Sequence, residues 1–211
     1  MKNHKICVVG AGGWGKNHIR TLNKLNCLGG IVDTDKSLLS VYSDKYPEVK
    51  VFSNLGPALK SDEFSGYVVA TPAKNHFDTS KQIILSKKHV LVEKPMALKT
   101  EHAEELVKLA KLNSVNLMVG HVLLFHPAVK KIKRMIENGD IGELQYIYSN
   151  RLNLGKVRTE ENAFWSLAPH DIAIFQFLTN SQPKSIKSIG SSFLQKGIQD
   201  STLTHLEYCN G

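Results

Sequence analysis

The segment Gly10-Ala-Gly-Gly-Trp-Gly15 constrains this chain more than any other stretch. It follows Lys5-Ile-Cys-Val-Val9, an apolar, β-branched run with the length of a buried strand. Glycines at 10, 12 and 15 then match G-x-G-x-x-G at the turn from a strand into a helix. In such a turn Gly10 permits the sharp bend and Gly12 lets backbone approach a pyrophosphate. Gly15 lets the following helix pack close to the strand. The amides at the helix start face the phosphates, at the positive end of the helix dipole. A second apolar run, Leu28 to Val32, ends at Asp33, where an acid bonds the adenosine ribose hydroxyls of a dinucleotide. A carboxylate there repels a 2′-phosphate, so the pattern favours NAD over NADP.

Strand and helix patterns alternate from there to about residue 120, which predicts a parallel sheet with helices on both faces. The expected helices are Trp14 to Leu25 (inner face Ile19, Leu22 and Leu25), Ser37 to Lys45, Phe77 to Lys87, and one that Thr100 caps. The last buries Ala103, Leu106, Val107 and Ala110. The expected strands are Lys5 to Val9, Leu28 to Val32, Val49 to Phe52, Tyr67 to Ala70, His89 to Val92 and Leu117 to Val119. Beyond Gly120 the pattern changes. His126 to Asn138 is amphipathic and closed by Gly139. A long strand is expected over Glu143 to Asn153, with Leu144, Tyr146 and Tyr148 on one face. A helix from Asn162 to Thr179 is expected to break at Pro169. Half-buried strands are expected over Ser185 to Phe193 and Thr202 to Tyr208. The chain therefore reads as an α/β protein: a dinucleotide-binding (Rossmann-type) domain over 1–120, then an α+β domain with a mostly antiparallel sheet over 121–211. A ligand cleft is expected near the boundary.

Bulk properties exclude several classes. No apolar run is long enough for a membrane span. Met1 to Lys5 leads straight into the first strand, which reads against a secretory leader. Cys7, Cys27 and Cys209 are odd in number and lack metal-ligand spacing, so free thiols in a cytoplasmic, reducing setting are expected and no metal site. The net charge of +8 suits an anionic substrate. No nucleic-acid motif accompanies it. The densest basic cluster, Lys130, Lys131, Lys133 and Arg134, lies opposite Val129, Ile132 and Ile136 and reads as a solvated helix face.

Ligands of open α/β sheets bind beyond the carboxyl ends of the strands. Four segments of this chain end there: the glycine turn, Asp33, Ala70-Thr-Pro-Ala-Lys-Asn-His76 and Glu93-Lys-Pro95. Together with His170 they make the sequence resemble the Gfo/Idh/MocA oxidoreductases, over the whole chain. The stretches Tyr148 to Gly155, Arg158 to Asn162 and Trp165 to Asp171 resemble one branch. Its members oxidise the 3-hydroxyl of UDP-N-acetylglucosamine-type sugars, often the uronic acid, in surface-polysaccharide synthesis.

The resemblance implies roles residue by residue. Gly10, Gly12, Gly13, Trp14 and Gly15 hold the pyrophosphate, and Asp33 binds the adenosine ribose. Thr71, Pro72 and His76 line the cofactor cleft, and Glu93 touches the nicotinamide ribose. Lys94 points at the substrate carbon that loses hydride, with His170 across from it. Arg151, Asn153, Arg158, Asn162 and Trp165 join Lys94 and His170 around the nucleotide sugar. Lys94–Pro95 is a candidate cis peptide. Removing hydride from a secondary alcohol requires the hydroxyl proton to leave as well, which a histidine or a lysine can accept near neutral pH. His170 is the expected base and Lys94 the orienting donor, with an exchange of the two roles as the alternative. The chain departs from the resemblance at Ser166, where an Asp often precedes the histidine, and at Leu124, where an Arg often precedes Phe-x-Pro. It is also shorter than such proteins usually are, which predicts a C-terminally shortened second domain. Self-association through the second sheet is expected if that sheet is completed. A polyol or free-sugar dehydrogenase and a non-catalytic NAD-binding protein are the alternatives.

Overall fold

A computed structural model describes residues 4–152, 157 and 161–210. The chain divides into two compact units, Met1–Gly120 and His121–Gly211.

The first unit is built on six strands: β1 (Ile6–Val9), β2 (Leu28–Val32), β3 (Lys50–Phe52), β4 (Gly66–Val69), β5 (His89–Val92) and β6 (Leu117–Val119). They lie in the order β3-β2-β1-β4-β5-β6, and every neighbouring pair is parallel. Helices α1 (Gly15–Lys24), α2 (Lys36–Lys45), α3 (Leu55–Lys60), α4 (His76–Leu85) and α5 (Thr100–Leu112) make the crossovers. The strands read as unbroken apolar runs because both faces are covered. Val8 and Val9 point to opposite sides and enter separate cores. Val8 packs with Ile19, Ile31, Leu39 and Val68. Val9 packs with Val69, Ile83, Val92 and Leu106. The strand order reverses between β1 and β4, and a crevice opens at such a point beyond the carboxyl ends of the strands.

Several local expectations are corrected. Helix α3 carries Gly56 and Pro57, which read as loop residues, so its six residues gave no periodic signal. Lys99, not Thr100, is the N-cap of α5, and no side chain caps that end. Leu25 and Val107 face outward, at 63% and 41% exposure: Leu25 is the C-cap of α1, past its last turn, and Val107 lies beside the buried face of α5 that Leu106 and Ala110 form.

The second unit holds α6 (Pro127–Glu137), α7 (Ala163–Thr179) and an antiparallel pair, β7 (Pro183–Ser191) and β8 (Ser201–Tyr208). His126 caps α6, its Nδ1 accepting from the Ala128 amide at 3.2 Å. Gly139, at φ +75°, follows that helix. The strand expected over Glu143 to Asn153 is absent: 143–152 are irregular, and Asn153 lies outside the described residues. Alternation chooses a face but cannot supply the neighbour whose backbone a strand must pair with. The break expected at Pro169 does not occur either. The proline sits inside a continuous helix of 17 residues. It deletes one donor, while the turns on either side keep theirs. Lys133 is not a solvated charge: it reaches the Leu178 carbonyl at 3.4 Å and Glu137 at 3.3 Å. Among the described residues no helix is long and apolar enough to cross a membrane, and no group of His, Cys, Asp or Glu is placed to hold a metal.

Candidate functional site

The carboxyl ends of β1, β2, β4 and β5 bring four of the sequence-selected segments to one edge of the first unit. Gly10 turns the chain out of β1 at φ +91°, and a side chain there would strike the Ala70–Thr71 peptide at 2.8 Å. Gly15 starts α1 against the Gly10 carbonyl. Gly12 and Gly13 face open space, with nothing within 4 Å of an added Cβ. Helix α1 has no side-chain cap and no acid in its first turn. Its positive end is left to an external anion.

Asp33 closes this turn from the side. Its Oδ2 accepts from the Ala11 amide at 2.7 Å and its Oδ1 from the Asp35 amide at 2.9 Å. A carboxylate has about four acceptor positions, so two remain for ribose hydroxyls. Asp33 is thus a strut of the glycine turn as well as a candidate ligand. Thr71, after β4, has a buried Oγ1 with no hydrogen-bond partner among the described residues. Pro72 beside it is exposed. His76 is 2% exposed, and its ring bridges the Thr71 carbonyl at 2.8 Å and the Pro95 carbonyl at 2.7 Å. Its ring nitrogens brace the two loops that follow β4 and β5.

Glu93 is the centre of a polar cluster at the end of β5. It is 5% exposed. Its Oε1 accepts from Trp14 Nε1 at 2.5 Å and from His18 Nε2 at 2.7 Å, and its Oε2 from the Lys94 amide at 3.3 Å. Gly120, after β6, packs so tightly on this carboxylate that an added Cβ would lie 3.1 Å from either oxygen. Burial pushes the Glu93 carboxyl up, but the bonds and charge of His18, the Trp14 bond and the Lys94 amide outweigh it, and the group lies below its ordinary value. The Lys94–Pro95 peptide is cis, and Lys94 is half-buried. Sequence reading missed His18 and Gly120. His18 was findable in principle: it lies four positions after Trp14, a spacing that puts both on one helix face.

In the second unit, His170 lies half-buried on α7, next to Asp171. Arg151 is committed to that aspartate, with Nε at 2.8 Å from Oδ2 and Nη2 at 3.1 Å from Oδ1. Ser149 adds a third bond at 2.8 Å. Asn162 caps α7 by accepting from the Trp165 amide at 2.9 Å. Trp165 is 42% exposed on the first turn. Asn153 and Arg158 lie outside the described residues. Lys94 belongs to the first unit and His170 to the second.

Residues 4–121 match the model of the oxidoreductase family with an NAD-binding Rossmann fold, and residues 129–211 match the GFO/IDH/MocA C-terminal domain. The chain belongs to the Gfo/Idh/MocA oxidoreductase family. It is 23% identical to the inositol 2-dehydrogenase of Corynebacterium glutamicum, across 100% of this chain and 65% of that protein. It is 24% identical to the UDP-N-acetylglucosamine 3-dehydrogenase of Acidithiobacillus ferrooxidans, across 90% of this chain and 59% of that one. The chain thus spans about three-fifths to two-thirds of these relatives. Among solved structures, the WlbA dehydrogenase of Bordetella pertussis, in complex with NADH and UDP-GlcNAcA, superimposes with a TM-score of 0.85 at 23% identity, covering 100% of this chain and 66% of that one. That likeness speaks of the fold. The residues present fit the family's cofactor, NAD. The open cradle at Gly12 and Gly13 admits a pyrophosphate, Thr71 keeps an unused buried hydroxyl, and Asp33 keeps acceptor positions.

Proposed function

We propose that this chain serves an NAD-dependent dehydrogenase activity that oxidises a secondary hydroxyl, the 3-hydroxyl, of a UDP-N-acetylhexosamine or its uronic acid. The observation that carries the reading is the bond from Trp14 of the glycine turn to Glu93. It builds the turn bearing Lys94 into the same edge as the dinucleotide cradle. When bound, the nicotinamide ring accepts a hydride. The chain's own residues do the rest. Gly10, Gly12, Gly13 and Gly15 seat the pyrophosphate on the start of α1, and Asp33 takes the adenosine ribose. Glu93 takes the nicotinamide ribose. Lys94 donates to the substrate oxygen and orients it, and His170 accepts the hydroxyl proton. On the substrate side, Trp165 offers an exposed face. Arg151 contributes by holding Asp171 beside His170. Asn153, Arg158 and Asn162 complete the proposed set.

The nucleotide-sugar choice is supported by the UDP-N-acetylglucosamine 3-dehydrogenase relative. The inositol 2-dehydrogenase relative, aligned over the entire chain, favours a second reading as a polyol dehydrogenase. Self-association through the second unit's sheet is proposed too: Ile189 and Leu203 are paired on one face, each 71% exposed.

Calorimetry with UDP separates the two substrate readings, because a polyol enzyme has no use for a uridine diphosphate. Turnover then tests the base. His170→Asn should leave NAD affinity unchanged and lower turnover of a UDP-N-acetylhexosamine by about two orders of magnitude. Turnover near that of the unmodified chain would return His170 to a structural role.

A further inference from the structure

We propose that His18 is a positioning residue for the nicotinamide half of the cofactor site: its Nε2–H holds the buried Glu93 carboxylate in the single orientation from which Glu93 can meet a ribose. The proposal rests on the reading of Glu93 as the nicotinamide-ribose ligand.

A carboxylate taken out of water must be surrounded by donors. Glu93 has three, from three places in the chain: the Trp14 indole in the glycine turn, the His18 ring on α1 and the Lys94 amide after β5. Two of them converge on one oxygen, Oε1, and among the described residues Oε2 accepts only the longer amide bond at 3.3 Å. The carboxylate therefore presents one saturated oxygen and one with acceptor capacity to spare. Gly120 packs against the carboxylate as well, since an added Cβ there would lie 3.1 Å from either oxygen and press on it. Trp14 is 51% exposed, so its indole is the looser of the two side-chain donors. The His18 side chain is 20% exposed and is anchored on a helix whose neighbour Ile19 is 1% exposed in the core. His18 is thus the fixed post of the cluster. A carboxylate accepts only, so the bond selects the Nε2–H form of the ring. It also favours the ionised Glu93, in line with the lowered carboxyl.

The test uses binding by the full 211-residue chain, with NAD and ADP as probes. ADP fills the glycine turn and the Asp33 side but lacks the nicotinamide ribose. His18→Leu should weaken NAD by about tenfold, the loss expected for one hydrogen bond to a charged group, and leave ADP within about twofold. His18→Gln, whose amide can still donate to Glu93, should recover NAD to within about threefold of the unmodified chain. A turnover assay, where one is available, should show the same variants raising KM for NAD more than lowering kcat. Equal losses of NAD and ADP would mark His18 as a general prop of the turn and overturn the proposal. So would an unaffected Leu variant, or a Gln variant no better than Leu. An unmodified chain that binds NAD no better than ADP would instead remove the ribose role of Glu93, and with it that of His18. The two failures are therefore distinct.

Discussion

A methyl group on Gly15 would lie 1.8 Å from the Gly10 carbonyl oxygen, whereas one on Gly12 would meet nothing within 4 Å. The same motif thus contains a glycine the fold needs and a glycine the fold alone does not require. Gly15→Ala should cost about 2 kcal/mol or more in urea unfolding, since backbone cannot step aside as a flexible side chain can. Gly12→Ala should leave stability within about 0.5 kcal/mol and still weaken NAD, read by calorimetry on the same sample. Equal destabilisation by both would deny the division. These glycines and Asp33 were legible in the sequence because each answers to the local backbone: a strand, a turn and an acid at fixed spacing. Gly120 was not, because its close packing is on Glu93, distant along the chain, and His18 showed only a helix face shared with Trp14 and nothing of its bond to Glu93. His76 was picked out as a residue of this loop, without its bracing contacts. Its position is set by the turn, but only the fold shows its ring bridging two carbonyls.

At the level of elements, legibility followed the presence of a partner. Strands β2 and β5 were expected with the ends they have, because an interior strand of the sheet is covered on both faces and carries its apolar signal along most of its length. The expected strand over 143–153 carried alternation alone, and Tyr146 and Tyr148 are 79% and 76% exposed. Pro169 is the converse case. A residue that reads as a stop is tolerated inside α7 because a helix of 17 residues keeps its remaining bonds. The start of that helix is fixed by Asn162, whose side chain bonds the Trp165 amide and reaches Gln199 Oε1 at 3.4 Å. Asn162→Ala should therefore lower stability by about 1 kcal/mol, measured as a shift of the denaturant midpoint. Asn162→Asp, which keeps the capping oxygen, should lose much less. If both variants unfold like the unmodified chain and only substrate binding falls, Asn162 belongs to the ligand rather than to the helix.

Across the whole molecule, the parts argued to bind NAD all lie within Met1–Gly120, and the residues argued to meet the substrate, Lys94 excepted, lie within His121–Gly211. In the first of these groups, a glycine turn, an acid after β2 and a clamped carboxylate after β5 are proposed to form one site selective for NAD. The net charge of +8 draws either dinucleotide toward the protein, so selectivity has to come from Asp33 at close range. The direct measurement is calorimetric titration of the 211-residue chain with NAD and, separately, with NADP. NAD should bind at least about tenfold more tightly, the scale of one unfavourable contact between a carboxylate and a 2′-phosphate. Equal affinities, a preference for NADP, or no binding of either would contradict it.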